Sequence, residues 1–302
     1  MHKSVLLNES IEYLNIKDDS IIVDCTLGYG GHSSEILKRV KNGHLYSFDQ
    51  DLEAINSSKK RLSDIGDNYT IINSNFVNIK KELNKLGVNK VNGILYDLGV
   101  SSPQLDEDYR GFSFHKDAHL DMRMNQEQIL SAYNVVNEYD ENKLSEIILK
   151  YGEEKYSRSI AKNIVKNRPI NTTLELVEVI KEAVPVKYKL SHHPARKTFQ
   201  AIRIEVNNEL EVFKSSLLDA LSIIDIGGRI CVITFHSLED RICKEIFKSV
   251  TTVKKELQNL PIIPKEYLPK FKIVKTINPS IEEVNMNKRA RSAKLRVIER
   301  ID

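Results

Sequence analysis

Cysteine and long apolar stretches are scarce in this chain of 302 residues. Only Cys25, Cys231 and Cys243 occur, and they lack the spacing of metal ligands. Three such cysteines predict neither disulfides nor a zinc site, which is typical of a protein in a reducing compartment. The longest apolar runs cover only a few residues, whereas about 18–20 are needed to cross a bilayer. We therefore expect a protein that does not span a membrane.

The chain also lacks a strong excess of either charge. Its 45 Lys and Arg residues against 42 Asp and Glu residues give a net charge of +3, so a nucleic-acid-binding surface would have to be local. The N-terminal segment has no apolar core of a secretory signal, so we expect a cytoplasmic protein. The 41% of hydrophobic residues suffice for one large domain or two small ones that share a core.

Strand and helix patterns alternate over the first hundred residues. The predicted strands cover residues 21–25, 45–48, 69–72 and 91–98. The predicted helices cover residues 34–41, 52–62 and 77–86. Strands separated by about ten helical residues are typical of βαβ units, so we predict a parallel sheet.

The pattern changes after residue 104 and returns near residue 195. The helices predicted between these points cover residues 143–150, 157–167 and 173–183. The elements predicted after them are helix 199–221, strand 229–235, helix 238–249, a proline-rich loop or flap over 254–280, and strand 294–299. We therefore predict an α/β fold in which a sheet domain, residues 1–104 and 195–302, is interrupted by a mainly helical domain, residues 105–194.

A glycine-rich turn follows the first predicted strand. Gly28, Gly30 and Gly31 allow positive φ angles and the close approach of a ligand, although the spacing departs from the G-x-G-x-x-G fingerprint. Asp49 ends the second strand, 21 residues after Gly28, where a carboxylate can accept hydrogen bonds from both ribose hydroxyls of an adenosine. The alternatives are a plain tight turn and, for Asp49, a cap of the helix that begins at residue 52.

The ends of the third and fourth strands add further polar groups. Asn75 and Phe76 follow the third strand, and Asp97 begins the segment Asp97-Leu-Gly-Val-Ser-Ser-Pro-Gln104 after the fourth. Because ligands bind at the carboxyl edge of open parallel sheets, Phe76 is a candidate contact for adenine, and residues 101–104 are candidates for an acceptor pocket. The alternatives are a core aromatic for Phe76, a helix cap for Asp97 and a simple turn for residues 101–103.

Two histidine segments invite a catalytic interpretation. His236 and Ser237 follow a predicted strand, but Ser237 lacks the G-x-S-x-G elbow of a hydrolase. Residues 237–240 match a helix capping box at least as well, and His236 is either a residue of the acceptor pocket or a structural histidine. His192 and His193 lack a third ligand at suitable spacing, so no metal site is predicted.

Basic residues concentrate in two stretches. Residues 181–203 hold six basic residues and one acidic residue, and residues 285–302 hold six and two. Tyr188 and Phe199 are interleaved with the first stretch as candidate stacking groups, which suits contacts with RNA. The alternative is an ordinary solvated helix surface. The candidate RNA-binding residues are Lys187, Lys189, Arg196, Lys197 and Arg203.

Taken as a whole, the sequence closely resembles the bacterial 16S ribosomal RNA cytosine-N4 methyltransferase family (RsmH, also called MraW), nearly from end to end. The segments that carry the resemblance are Ser4-Val-Leu-Leu-Asn-Glu9, Asp24-Cys-Thr-Leu-Gly-Tyr-Gly-Gly-His-Ser33, Asp97-Leu-Gly-Val-Ser-Ser-Pro-Gln-Leu-Asp106, Arg110-Gly-Phe-Ser-Phe114, Leu120-Asp-Met-Arg-Met124, Tyr151-Gly-Glu-Glu154, His193-Pro-Ala-Arg-Lys-Thr-Phe-Gln-Ala-Ile-Arg203, Phe235-His-Ser-Leu-Glu-Asp-Arg241 and Arg289-Ala-Arg-Ser-Ala-Lys-Leu-Arg296. His119 and Lys288 depart from the family, which usually has proline there, so only local loop geometry is in question.

The resemblance implies a Rossmann-like sheet and an enzyme that uses S-adenosylmethionine to methylate the N4 amino group of one cytosine in the decoding region of 16S rRNA. The implied cofactor contacts are Gly30, Gly31, His32, Asp49, Phe76, Asp97 and Gln104, and the glycine turn adds Gly28. The candidates for orienting the reactants are Asp97, Ser102, Pro103, Gln104 and His236. The implied partner is 16S rRNA within the 30S subunit or a late assembly intermediate, and the sequence leaves a homodimer open.

Three alternatives differ in class from this interpretation. A NAD-dependent oxidoreductase would share the glycine turn and the ribose-binding acid, but no hydride-acceptor motif supports it. A methyltransferase for a non-RNA substrate would not need the basic stretches. A ribosome assembly factor that only binds rRNA would not need Asp49, Asp97 and Gln104 together.

Overall fold

The computed structural model describes residues 4–100, 108–191, 193–253, 255–257 and 263–302. The chain divides into two compact units. The first unit joins residues 1–99 to residues 210–302, and the second comprises residues 100–209. Among the described residues, no helix combines the length and apolar composition that a membrane span requires.

The first unit is built on a seven-stranded sheet. Its strands are β1 (Ile21–Asp24), β2 (His44–Asp49), β3 (Tyr69–Asn73), β4 (Val91–Asp97), β5 (Ile224–Thr234), β6 (Phe271–Ile277) and β7 (Lys294–Arg300). Their spatial order is β3-β2-β1-β4-β5-β7-β6, and the first five pair in parallel while β7 runs antiparallel to β5 and β6. Because the order reverses between β1 and β4, this sheet has the switch point at which Rossmann-like folds bind ligands.

Helices cover both faces of this sheet. They are α1 (Leu7–Leu14), α2 (Gly31–Leu37), α3 (Leu52–Ser63), α4 (Ile79–Lys85), the later helices α11 (Glu209–Ile223) and α12 (Ser237–Thr251), and α13 (Ile281–Met286). Neighbouring strand residues alternate between the two apolar cores: Ile22 packs on one side and Val23 on the other. Both faces are therefore buried, as parallel sheets require.

The second unit is helical. Its helices are α5 (Ala132–Glu138), α6 (Glu141–Gly152), α7 (Ser157–Lys166), α8 (Thr173–Glu182), α9 (Val186–Ser191) and α10 (Arg196–Asn207). Side-chain caps fix several of their starts: Asp140 accepts a hydrogen bond from Lys143 N at 2.9 Å, and Thr172 forms a capping box with Glu175. These helices enclose a core of their own.

The α/β fold class and most predicted elements agree with the structure, but three predictions differ. The helix predicted over 199–221 is two helices, because Asn208 takes the left-handed conformation (φ 49°) that ends α10. The loop predicted over 254–280 contains the edge strand β6. Helix α10 lies in the helical unit and not in the sheet domain, because Phe199 and Ile202 are buried in the core of that unit. The boundaries of the structure are therefore 99/100 and 209/210.

Candidate active site

The glycine turn joins β1 to α2 at the carboxyl edge of the sheet. Gly28 (φ +49°) and Gly30 (φ +75°) take left-handed conformations that favour glycine. A Cβ atom at Gly28 would meet nothing nearer than the Thr26 carbonyl oxygen at 3.9 Å, so the turn leaves open space on that side. At Gly31 a Cβ atom would lie 1.9 Å from Ser4 Oγ and 3.2 Å from Ser4 Cβ, so this glycine packs closely against the Ser4 side chain, which would have to move if glycine were replaced.

Asp49 ties the end of β2 to this turn. Its Oδ2 accepts a hydrogen bond from Gly28 N at 2.8 Å, and its Oδ1 accepts one from Asp51 N at 2.9 Å. Burial raises the pKa of Asp49 to about 6. Asp51 is the cap of α3, since its side chain accepts from Glu53 N at 3.1 Å. The alternative in which Asp49 caps this helix is therefore wrong.

Asp97 and His32 meet beside the turn. Asp97 Oδ2 lies 3.5 Å from His32 Nδ1, and Asp97 N donates to Thr26 Oγ1 at 2.8 Å. Burial lowers the pKa of His32 to about 4, whereas burial, with Asp24 and Glu239 nearby, raises the pKa of Asp97 to about 8. Both groups are thus mainly neutral at pH 7, and the contact is not an ion pair. Asp97 Oδ1 is buried and has no hydrogen-bond partner among the described residues, although about a quarter of the side chain is exposed.

Two further carboxyl groups lie behind Asp97. Asp24 is fully buried and accepts hydrogen bonds from Ser33 Oγ at 2.7 Å and from Thr26 N at 3.1 Å. Glu239 is 2% exposed, and its Oε2 accepts from Phe235 N at 2.7 Å. Neither residue was predicted as part of the site. Asp24 shares with Asp49 and Asp97 a position at the end of a strand, and this position is the sequence feature that could have indicated it.

Phe76 lies in a 3₁₀ turn after β3. The ring is half-buried and meets Tyr96 edge to face, with centroids 5.7 Å apart. Ser216 Oγ donates to the Phe76 carbonyl at 2.8 Å, which fixes the backbone there. The neighbouring Asn75 donates to Gln50 Oε1 at 3.1 Å, so the ends of β2 and β3 are joined. Phe76 is therefore not a fully buried core aromatic, and part of its ring remains accessible.

His236 is the cap of α12. Its side chain accepts from Glu239 N, and Glu239 Oε2 accepts from His236 N at 3.2 Å, which makes a reciprocal capping box. The capping box therefore begins at His236, one residue before the predicted start at Ser237. His236 is 11% exposed and follows β5, the neighbour of the strand that ends at Asp97. The predicted orienting residues Ser102, Pro103 and Gln104 lie outside the described residues.

The candidate RNA-binding residues of the helical unit fall into distinct environments. Lys187, Arg196 and Lys197 are exposed, and Lys189 is half-buried. Arg203 forms a two-pronged ion pair with Glu209, at 2.8 and 2.9 Å, and is 16% exposed. It is therefore engaged within the unit and is a poor candidate for phosphate.

Two aromatic contacts of the same unit also bear on the predictions. Phe199 is 3% exposed, so the prediction that it stacks on RNA is wrong. His193 stacks on Phe114 with centroids 4.4 Å apart. Within the described residues, no three His, Cys, Asp or Glu side chains are grouped to hold a metal ion.

Comparison with known proteins decides the family. Residues 1–301 match the MraW methylase family. The chain belongs to this family. The protein called Ribosomal RNA small subunit methyltransferase H is 54% identical in Clostridioides difficile and 53% identical in Exiguobacterium sibiricum. Each alignment covers 99% of this chain, with 99% of the first relative and 98% of the second.

Solved structures are more distant. An rRNA methylase from Streptococcus thermophilus aligns over 100% of this chain and 99% of its own, with 13% identity and a TM-score of 0.48. The assignment therefore rests on the sequence relatives and on the sheet. As a member of the MraW methylase family, the protein is a methyltransferase with a Rossmann-like sheet.

Proposed function

We propose that this methyltransferase transfers a methyl group from S-adenosylmethionine to the N4 amino group of one cytosine in the decoding region of 16S rRNA. The observation that carries the proposal is the convergence of Gly28, Asp49 and Asp97 at the switch point of the sheet in a chain of the MraW methylase family. The relatives' name supplies the class of substrate, small-subunit ribosomal RNA.

The residues present fit an adenosine-type methyl donor. Asp49 already accepts from two backbone amides, and each carboxylate oxygen has a further lone pair for a ribose hydroxyl. Within the part of the chain that the structure describes, Asp97 Oδ1 is a buried acceptor to which no group donates, which suits an ammonium or hydroxyl group of a ligand. The cofactor-binding set in this proposal is Gly28, Gly30, Gly31, His32, Asp49, Phe76, Asp97 and Gln104.

Positioning carries most of the proposed catalysis. When bound, S-adenosylmethionine supplies a methyl group that is activated by its sulfonium. The cytosine amine is a weak nucleophile, so alignment of the two reactants can contribute up to about 7–11 kcal/mol. Asp97 and His236 end neighbouring strands and would face the acceptor together with Ser102, Pro103 and Gln104. His236 is held in place by its capping box with Glu239, and we propose that it helps to orient the acceptor.

The helical unit would hold the RNA. Lys187, Arg196 and Lys197 are exposed cations on two successive helices, and Lys189 lies between them in sequence. Such residues contact phosphates without reading the base sequence. We propose as substrate the RNA within the 30S subunit or a late assembly intermediate, in the bacterial cytoplasm.

The test uses labelled S-adenosylmethionine with 30S particles, naked 16S rRNA or a pool of cytoplasmic proteins. We expect label on one cytosine of the 16S rRNA, located by nuclease digestion and mass spectrometry. Label on protein would favour a non-RNA methyltransferase. RNA binding without label would favour a pure assembly factor.

A further inference from the structure

A buried carboxylate in the helical unit organises two tyrosines. Glu154 is fully buried in the turn between α6 and α7. Its Oε1 accepts a hydrogen bond from Tyr156 N at 2.9 Å, and its Oε2 accepts a short one from the Tyr188 hydroxyl. The two rings meet at 72° with centroids 5.0 Å apart, and both are half-buried. One carboxylate therefore anchors Tyr156 by its backbone and Tyr188 by its hydroxyl.

Lys155 is exposed beside these rings. Its Nζ lies 4.9 Å from the centroid of Tyr156 and 5.7 Å from that of Tyr188. In contrast to Lys181, which pairs with Glu178 at 2.6 Å, Lys155 has no carboxylate partner among the described residues. An exposed cation–π contact contributes only about 0.5–1 kcal/mol. The ammonium group can therefore move to a phosphate at little cost.

Helix α9, which carries Tyr188, exposes further apolar and basic side chains. In α9, Val186 is 70% exposed and Leu190 is 84% exposed, and Lys187 is also exposed. A partly exposed aromatic side chain next to an exposed lysine is the arrangement by which proteins stack unpaired bases and hold the adjoining backbone. The positive charge favours a polyanion over an apolar protein partner.

We propose that Tyr156, anchored by Glu154 and supported edge to face by Tyr188, stacks one unpaired base of the RNA substrate while Lys155 contacts the adjoining phosphate. This inference rests on the proposed function, since it takes RNA as the substrate. It adds a base-stacking site to the phosphate contacts of the helical unit. Glu154 is a positioning residue in this proposal, because it acts only through the two tyrosines.

The stacking part is tested with the full chain and decoding-region RNA that carries 2-aminopurine at successive unpaired positions. In the unmodified protein, we expect one position to lose fluorescence on binding, because the probe stacks on a tyrosine. Tyr156→Leu should weaken RNA binding about 5- to 100-fold and abolish that quenching. Tyr156→Phe keeps the ring and should restore both. S-adenosylmethionine affinity and melting temperature of each variant serve as the check on folding.

The phosphate part is tested by the salt dependence of binding. Lys155→Gln should lower the slope of log affinity against log salt by about 0.7, the value for one contact with single-stranded RNA. Lys143→Gln is the matched control, because Lys143 Nζ also lies over a tyrosine, 3.7 Å from the centroid of Tyr139. An equal change in both variants would refute a local contact at Lys155.

The outcomes separate this inference from the proposed function. If the unmodified protein methylates the RNA but Tyr156→Leu keeps both affinity and quenching, the stacking site is wrong and the proposed function stands. If the unmodified protein neither binds nor methylates the RNA, the proposed function fails and the inference fails with it.

Discussion

Donor binding should release a proton from Asp97. In the ligand-free protein, burial and the nearby Asp24 and Glu239 raise the pKa of Asp97 to about 8, so the carboxyl group is mainly protonated at pH 7. S-adenosylmethionine carries positive groups and should favour the ionised carboxylate. The group must therefore lose its proton on binding. His32 does not interfere, because burial lowers its pKa to about 4.

The size of the effect follows from the ionised fraction of Asp97. With a pKa of about 8, this fraction is about 1% at pH 6 and about 9% at pH 7, so ionisation of Asp97 should raise the apparent donor affinity about ninefold between them, or about 1.3 kcal/mol. Above pH 7 the α-amino group of the donor, with an ordinary pKa of about 7.7–8.0, loses its own charge and offsets the gain. Asp97 should release about 1 proton at pH 6 and about 0.9 at pH 7. Asp49, with its pKa raised to about 6, adds under about 0.1 proton at pH 7.

Calorimetry in buffers of different ionisation enthalpy counts the released protons directly. Asp97→Asn should bind the donor more weakly and release almost no proton at pH 7. Glu239→Gln keeps a capping side chain but removes one negative charge, so the rise in affinity should move to lower pH. Unchanged affinity from pH 6 to 7, without proton release in the unmodified protein, would refute this account of Asp97.

Four further predictions concern binding, stability and rate. Asp49→Ala should weaken S-adenosylmethionine binding by about 2–4 kcal/mol, because two charge-assisted hydrogen bonds to ribose are lost; a calorimetric affinity within about threefold of the unmodified protein would contradict this. Glutamine at the exposed basic residues of the helical unit should weaken RNA binding and flatten its salt dependence without changing donor affinity; an unchanged slope would contradict it. Those residues are Lys187, Arg196 and Lys197. Arg203→Gln should instead lower the melting temperature, with little change in the salt slope, because it breaks the ion pair with Glu209. At saturating donor, the single-turnover rate should stay nearly flat from about pH 6 to 9; an ionisation of the chemical step that disappears in Asp97→Asn would show that this residue is a general base.

The sheet was largely predictable because its strands carry strong local signals. Runs such as residues 21–23 are β-branched and flanked by turn residues, so the residue types within the run and those at its ends both predict a strand. Strand β6 was not predicted, because it is an edge strand in which most side chains, including Lys272 and Lys275, are exposed and the apolar pattern of a strand is weak. The break between α10 and α11 at Asn208 was not predicted, because a single left-handed residue leaves the helical spacing of apolar residues on either side intact.

The candidate site was predictable in its members but not in its electrostatics. Asp49 and Asp97 could be named because each ends a predicted strand. The sequence does not reveal that Asp51 supplies the helix cap and leaves Asp49 to the glycine turn. It also does not reveal the protonation of Asp97, which depends on burial and on Glu239, a residue 142 positions away along the chain.

The hydrogen bonds of the three carboxyl groups decide which of them can respond to a ligand. Asp24 and Glu239 are nearly inaccessible, and their oxygens accept hydrogen bonds from neighbouring backbone amides and from Ser33. Asp97 is the partly exposed one, and no described residue donates a hydrogen bond to its Oδ1. Of the three carboxyl groups, Asp97 is therefore the one at which an incoming cation gains a new hydrogen bond, while Asp24 and Glu239 act on it through their charge. This pair makes Asp97 costly to ionise on its own, and the same pair strengthens the attraction for a positively charged donor.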